Sequence, residues 1–193
     1  MSTEDEIKEN EDVTVEVNAA PRKVSTLPIR RLLVDIAGKD AGKMETSRNQ
    51  APWIKPYWPS TSYAEGFANR EPYCAAALCY WVDKWLELTA VQDAFAKSKA
   101  ELEKWRCKSA AAFAWQDWAK QKKLLVLGEN ATLHTADIMV FDMSHIGLVY
   151  NDDDKQVFTI EANTGATGGR DGDGCFKKVR NRTLAKCFIR MLA

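Results

Sequence analysis

ADIMVFDMSHIGLVYNDDDKQVFTIEANT, residues 136–164, contains three short runs rich in β-branched and aromatic side chains, broken by Met143-Ser144 and by the turn-forming NDDDK at 151–155. Such runs read as consecutive antiparallel strands, with NDDDK closing a hairpin between the last two. Downstream, CFKKVRNRT (175–183) and KCFIRML (186–192) have the same character, and the Gly-rich GATGGRDGDG (165–174) separates the first of them from residue 164. The C-terminal third is therefore expected to be a meander of four or five strands.

Upstream of Lys123 the period is helical. Ala77, Leu78, Trp81, Val82, Trp85 and Leu88 recur at helical spacing, and Pro72 favours extended backbone just before them. This is the buried-helix candidate. VQDAFAKSKAELEKW (91–105) reads as a second, more polar helix, and residues 109–122 as a third with Ala111, Trp115 and Trp118 on one side. A first helix is expected from Leu27, capped by Ser25 or Thr26, with Pro28 in its first turn and Gly38 and Gly42 ending it. Its apolar face holds Ile29, Leu32, Leu33 and Ile36. Between the first helix and the buried one, residues 44–67 are dense in Pro, Ser, Asn and aromatic rings and read as an irregular cover over the core, with a helical turn near Trp53 to Tyr57. Helices followed by a meander give an α+β fold, the helices packed on one face of the sheet.

Composition bounds the rest. With 193 residues and 46% apolar content the chain supports one sizeable core. No run approaches the ~20 apolar residues of a membrane helix, and MSTEDEIKENED at the start is unlike a signal peptide, so a soluble chain made in the cytosol, with no membrane insertion, is expected. Residues 1–26 carry seven acids against three bases and no aromatic ring, and are expected to be a disordered acidic tail. The whole chain is neutral, with 27 bases and 27 acids, which argues against nucleic acid as a partner. Five cysteines without CxxC pairs or His-spaced clusters indicate neither a disulfide framework nor a zinc site.

One thiol stands apart by position. Cys74 falls in the first turn of the buried helix, where unpaired N–H groups and the macrodipole favour a thiolate. A thiol nucleophile needs a base, and the chain has two histidines. His145 opens the strand HIGLVYN, whereas His134 lies in the polar GENATLHTAD and reads as a solvated loop residue. The base in turn needs an acceptor for its other ring nitrogen. Alternation along QVFTIEANT puts Val157, Thr159, Glu161 and Asn163 on one face and Phe158 and Ile160 on the core side. The hairpin then brings Glu161 or Asn163 beside His145.

REPYCAAALCYW (70–81), KSAAAFAWQDWAK (108–120), ADIMVFDMSHIGLVYNDD (136–153), then TIEANTG (159–165) and GDGCFKKVR (172–180), resemble in order the CHAP-type and NlpC/P60-like cysteine peptidases, especially compact phage and bacterial members. The likeness runs from about residue 29 to 193 and is most specific in PYCAA, HIGLV and IEANT taken as a set. It implies a papain-like fold with Cys74 as nucleophile, His145 as general base and then acid, and Glu161 and Asn163 holding and polarising the histidine, the asparagine as immediate partner and Glu161 behind or beside it. It also implies a peptidoglycan hydrolase cutting an amide or peptide bond of the cell wall, with no cofactor and no metal.

Delivery is then expected through a holin, a virion or a secretion machine, the last route implying an immunity protein as partner. A non-catalytic phage structural or binding protein, and an intracellular cysteine amidase or peptidase, are the rival readings on the same fold. Two departures stand out. Thr135-Ala136-Asp137 replaces the Pro-Gly-Asp usual before the central strand, and residues 89–107 are longer than expected, reading as a helical insertion that walls the substrate groove.

Overall fold

A computed structural model describes residues 25–153, 155–166 and 172–193. The acidic segment 1–24 and parts of NDDDK and GATGGRDGDG lie outside the described residues. The architecture is α+β. Five α-helices come first: α1 (Leu27–Gly38), α2 (Cys74–Leu86), α3 (Thr89–Phe95), α4 (Lys99–Trp105) and α5 (Ala114–Gln121). Six strands follow: β1 (Leu125–Leu127), β2 (Ile138–Phe141), β3 (Ile146–Asp152), β4 (Gln156–Thr164), β5 (Gly174–Asn181) and β6 (Ala185–Arg190). They form one antiparallel sheet in the order β1-β6-β2-β3-β4-β5.

Four or five strands were expected and the sheet has six: the five runs read from sequence correspond to β2 to β6, and β1 is additional. β1 is only three residues long, none of them fully buried, and pairs Leu125–Leu127 with Arg190–Phe188 at the sheet edge. Its short, half-exposed run carries too little periodicity to be seen from sequence.

α2 is the centre of the helical layer because its apolar residues occupy more than one stripe, which buries a helix all round. Ala77, Leu78, Trp81, Val82, Trp85 and Leu86 are all within 3% of full burial. They meet Ile138, Val140, Ile146, Leu148, Ile160 and Ile189 on the facing side of the sheet in one continuous core. Losing one of the buried tryptophan rings from such a core costs about 3–5 kcal/mol. The other face of the sheet carries a smaller cluster of Met139, Phe141, Val149, Val157 and Phe188. Leu33 and Ala37 bury α1 against the main core, with Ile29, Leu32 and Ile36 packed around them. The cover segment takes two 3₁₀ turns, Lys55–Ser60 and Ala64–Gly66, and buries Tyr57 and Trp58.

Four local expectations change. Leu88, expected on the buried face of the central helix, lies beyond the end of α2 and is exposed. The helix expected over 91–105 divides, because Ala96 adopts a left-handed φ of 49° and Ser98 starts α4 afresh with a capping box to Glu101. The helix expected from 109 begins at Ala114, and Ala111 lies exposed in the preceding turns. Phe158 is half-buried rather than a core anchor, while Val157, Thr159 and Glu161 on the opposite side are buried, since this sheet is covered on both faces near its middle.

Candidate active site

Pro72 and Tyr73 lead the chain into α2, whose N-terminus no side chain caps, and of its first turn Cys74 lines the cleft beside it. Cys74 stands in that turn at 7% exposure. The cleft encloses about 540 Å³ and is lined by Cys74, His145, Asn163 and Ser144 together with Trp58, Tyr63 and the Ser109–Ala112 turn. Residues 89–107 contribute nothing to this lining. They pack inward through Val91 and Leu102, and Arg106 ties them to the Ser60 carbonyl and Asp83, so the expected groove wall is instead the turn that follows them.

His145 is delivered by the β2–β3 hairpin. Asp142, Met143 and Ser144 make the turn, closed by the Phe141 N–H donating to the His145 carbonyl at 2.9 Å, with Ser144 at a left-handed φ of 57°. The ring is 2% exposed. Its Nε2 lies 2.9 Å from Glu161 Oε2, which leaves Nδ1 for Cys74. Burial opposes charge on the ring, yet hydrogen bonding and charge from Cys74 and Glu161 outweigh it and lift its pKa from 6.5 to about 9.

Glu161 is fully buried on β4, and Gly147 of β3 makes that possible. A Cβ at position 147 would meet Glu161 Cγ at 2.7 Å, so only glycine lets the carboxylate side chain cross β3 toward His145. Thr159 Oγ1 donates to Glu161 Oε1, and Arg180 donates from Nε to Oε1 at 2.8 Å and from Nη2 to Oε2 at 2.5 Å. Burial by itself would raise the carboxyl pKa, but Arg180 and His145 depress it to about 2.

Asn163 does not hold the histidine. The β4–β5 register shifts between Ala162 and Thr164, and Asn163 takes a left-handed φ of 54°, so strict alternation ends before it. Its side chain lines the cleft with Oδ1 buried and unpaired, while Glu161 occupies the ring nitrogen that the asparagine was expected to fill. A non-glycine residue at such φ carries local strain, of the kind found where a side chain must be aimed.

His134 also departs from its expected solvated loop. It is half-buried among Arg30, Asp137 and Arg190: Arg30 Nη1 meets its Nδ1, its backbone N–H donates to Asp137 Oδ2 at 2.8 Å, and Arg190 forks onto the same carboxylate. Desolvation and the two arginines lower its pKa. The cluster ties α1 to the chain before β2 and is structural. Ala136 in the same turn sits at φ 68°, where the Pro-Gly-Asp pattern would place a glycine.

All five cysteines are free. Burial pushes the Cys79 thiol well up, and those of Cys107 and Cys187 to about 11, with Cys175 also raised by burial. Tyr73 and Asn69, polar residues near Cys74 in sequence, both lie off the cleft. Tyr73 is buried with its hydroxyl toward Glu45, and Asn69 Nδ2 donates to the Tyr63 hydroxyl at 2.6 Å. Among the described residues no group of three or more His, Cys, Asp or Glu side chains is placed to hold a metal ion, and no helix is long and apolar enough to cross a membrane.

Sequence reasoning missed Gly147 and Arg180. Gly147 was visible inside HIGLV, where a glycine in a strand interior marks close approach of another group. Arg180 had no such signal among the basic residues of CFKKVRNRT. Comparison of the chain with models of known families, with curated proteins and with solved structures finds no match.

Proposed function

We propose that this protein is a cysteine peptidase or amidase of papain-like fold that hydrolyses an amide or peptide bond of peptidoglycan. The observation that carries the catalytic part is that Cys74 and His145 line one cleft with Glu161 buried behind the ring, the ring's Nε2 committed to the carboxylate and its other nitrogen left for the thiol. The choice of peptidoglycan rests on the resemblance of PYCAA, HIGLV and IEANT to the CHAP and NlpC/P60 enzymes.

In this reading the Cys74 sulfur attacks the substrate carbonyl carbon, forming a C–S bond while the carbonyl oxygen gains charge. The Cys74 backbone N–H, in the first turn of α2, is a donor for that oxygen. The His145 imidazolium gives its proton to the nitrogen as the C–N bond breaks, and the amine leaves. The neutral ring then takes a proton from water as the water oxygen attacks the thioester carbon; the C–S bond breaks, the acid is released, and Cys74 leaves as the thiolate beside the re-formed imidazolium. Glu161 keeps the ring oriented and stabilises its charged form throughout. The small side chains of Ser109–Ala112 and the Trp58–Tyr63 pair line the cleft in which a substrate strand would lie, the two segments joined by the Ser62 N–H donating to the Lys108 carbonyl at 2.8 Å.

Purified cell wall digested with the protein, followed by mass spectrometry of the released fragments, tests the proposal and identifies the bond. New amine and carboxyl ends are expected with the parent protein and none with Cys74→Ala. Release by the Cys74→Ala variant at the parent rate would overturn it.

A further inference from the structure

We infer that Arg180 is a positioning residue of this site: its guanidinium clamps the Glu161 carboxylate so that Oε2 stays on His145 Nε2, and its positive charge shares that carboxylate with the ring. The inference rests on the proposed catalytic role of Cys74 and His145, and it can be read without any substrate.

Arg180 lies on β5 opposite Val157, on the sheet face that Glu161 also uses, and its length carries it along that face to the carboxylate. The fork is bidentate, Nε to Oε1 and Nη2 to Oε2, with Nη2 also 3.3 Å from Thr164 Oγ1. Bidentate arginine–carboxylate pairs fix direction as well as charge. The pair is not a surface ion pair, since the Arg180 side chain is 12% exposed and that of Glu161 fully buried. The guanidinium is braced from below by the Phe141 ring at 5.5 Å, and the same ring packs on His145 at 5.2 Å between centroids. One phenyl ring therefore spaces both cations around a single anion.

Oε2 is the point of contact. It accepts from His145 and from Arg180 together, so whatever displaces the guanidinium displaces the histidine's acceptor. Among the described residues, the ionisable groups facing the pair include Cys74 from α2 and Cys175, Lys178 and Arg180 from β5, the Lys178 ammonium being bonded to the Gly165 and Ala166 carbonyls, while Thr159, Thr164 and Phe141 add uncharged contacts. Removing the Arg180 cation, which unlike Lys178 on the same strand bonds the carboxylate directly, leaves the Glu161–His145 pair holding its shared proton more tightly, whichever partner carries it.

The test is proton NMR titration of the full-length protein, in which two histidines give resonances that a His134→Gln variant assigns. In Arg180→Gln the His145 midpoint should move up by about one pH unit. In Arg180→Lys, which keeps the charge but loses the fork, the midpoint should stay near that of the parent. The rate of Cys74 alkylation by iodoacetamide, and kcat on purified wall at unchanged KM, should both fall in that variant, kcat on the order of a hundredfold. A parent-like midpoint in folded Arg180→Gln overturns the inference and returns Arg180 to an ion pair that only holds β5 to β4. If Arg180→Gln does not fold, Arg180→Lys decides alone: a folded variant with the parent's alkylation rate overturns the clamp. Absence of wall cleavage by the parent protein would defeat the proposed substrate while the titration and alkylation still judge Arg180.

Discussion

His145 Nε2 sits 2.9 Å from Glu161 Oε2, and both residues are buried to within 2% of completely. A histidine so held has one tautomeric choice when neutral, with the proton on Nε2 and the lone pair on Nδ1. That is the tautomer able to receive a proton from a thiol on its far side, so the direction of proton transfer is built into the strand pairing of β3 with β4.

Cys74 should be the one thiol that iodoacetamide labels quickly in the folded protein. It lines the cleft, whereas burial pushes up the other four thiols and encloses their sulfurs. Peptide mapping after brief labelling at neutral pH checks this; fast modification of Cys79, Cys107, Cys175 or Cys187 ahead of Cys74 would contradict it.

The two histidines should separate by type of damage. His145→Ala should lower turnover by about 10²–10⁴-fold with a modest change in melting temperature. His134→Ala should leave turnover per folded molecule near the parent value but cost about 1 kcal/mol of stability, because it removes the partner of Arg30 in a half-buried cluster. Wall hydrolysis and thermal melts on the same samples distinguish the two; the reverse assignment would sink the choice of base.

Stability should depend on pH in a window set by the pair. The His145 pKa is raised from 6.5 to about 9, so its contribution is fully present below about 6.5 and is lost as pH rises through 9. The Glu161 pKa is depressed from 4.5 to about 2, so its contribution is fully present above about 4.5 and is lost as pH falls through 2. Both are complete between about 4.5 and 6.5, where the melting temperature should plateau. In Glu161→Gln the alkaline decline should become shallower, since Cys74 is left as the group that raises the ring; an undiminished decline would show that Glu161 does not govern it.

Gly147→Ala should abolish most activity through a single methyl group. The new Cβ would stand 2.7 Å from Glu161 Cγ and force the carboxylate off the histidine, an overpacking change of about 1–3 kcal/mol. The expected signature is lost turnover in a protein that still folds. A fully active Gly147→Ala variant would mean the carboxylate can reach His145 by another route.

Asn163 calls for glycine rather than alanine as its probe. At φ 54° glycine keeps the backbone while alanine adds strain, so Asn163→Gly isolates the carboxamide. Turnover should fall with the melting temperature held, and His145 should titrate as in the parent because Glu161 is its partner. A shifted His145 midpoint would restore the asparagine as the orienting group.

How far the chain was legible follows from what kind of signal each feature needs. α2 and the strands β2 to β6 were readable because each buries its own periodic residues: Trp81 and Trp85 repeat at helical spacing, and IGLVY and VFTI are β-branched and aromatic. The break between α3 and α4 was written in Ser98-Lys99-Ala100-Glu101, a capping-box pattern inside an otherwise helical run. Cys74 and His145 were legible as types in positions, one at a helix start and one at a strand start.

Local periodicity and hairpin connectivity set which residues neighbour one another, so the α+β order, the candidate nucleophile and base, and the nearness of Glu161 or Asn163 to His145 could be read from the chain. The choice between Glu161 and Asn163 could not. That choice turned on a left-handed residue that broke alternation at the strand end, a glycine on the adjacent strand that opened a path, and an arginine from a third strand that made a buried carboxylate tenable. Each depends on distances between residues far apart in the chain, and no local spacing encodes those.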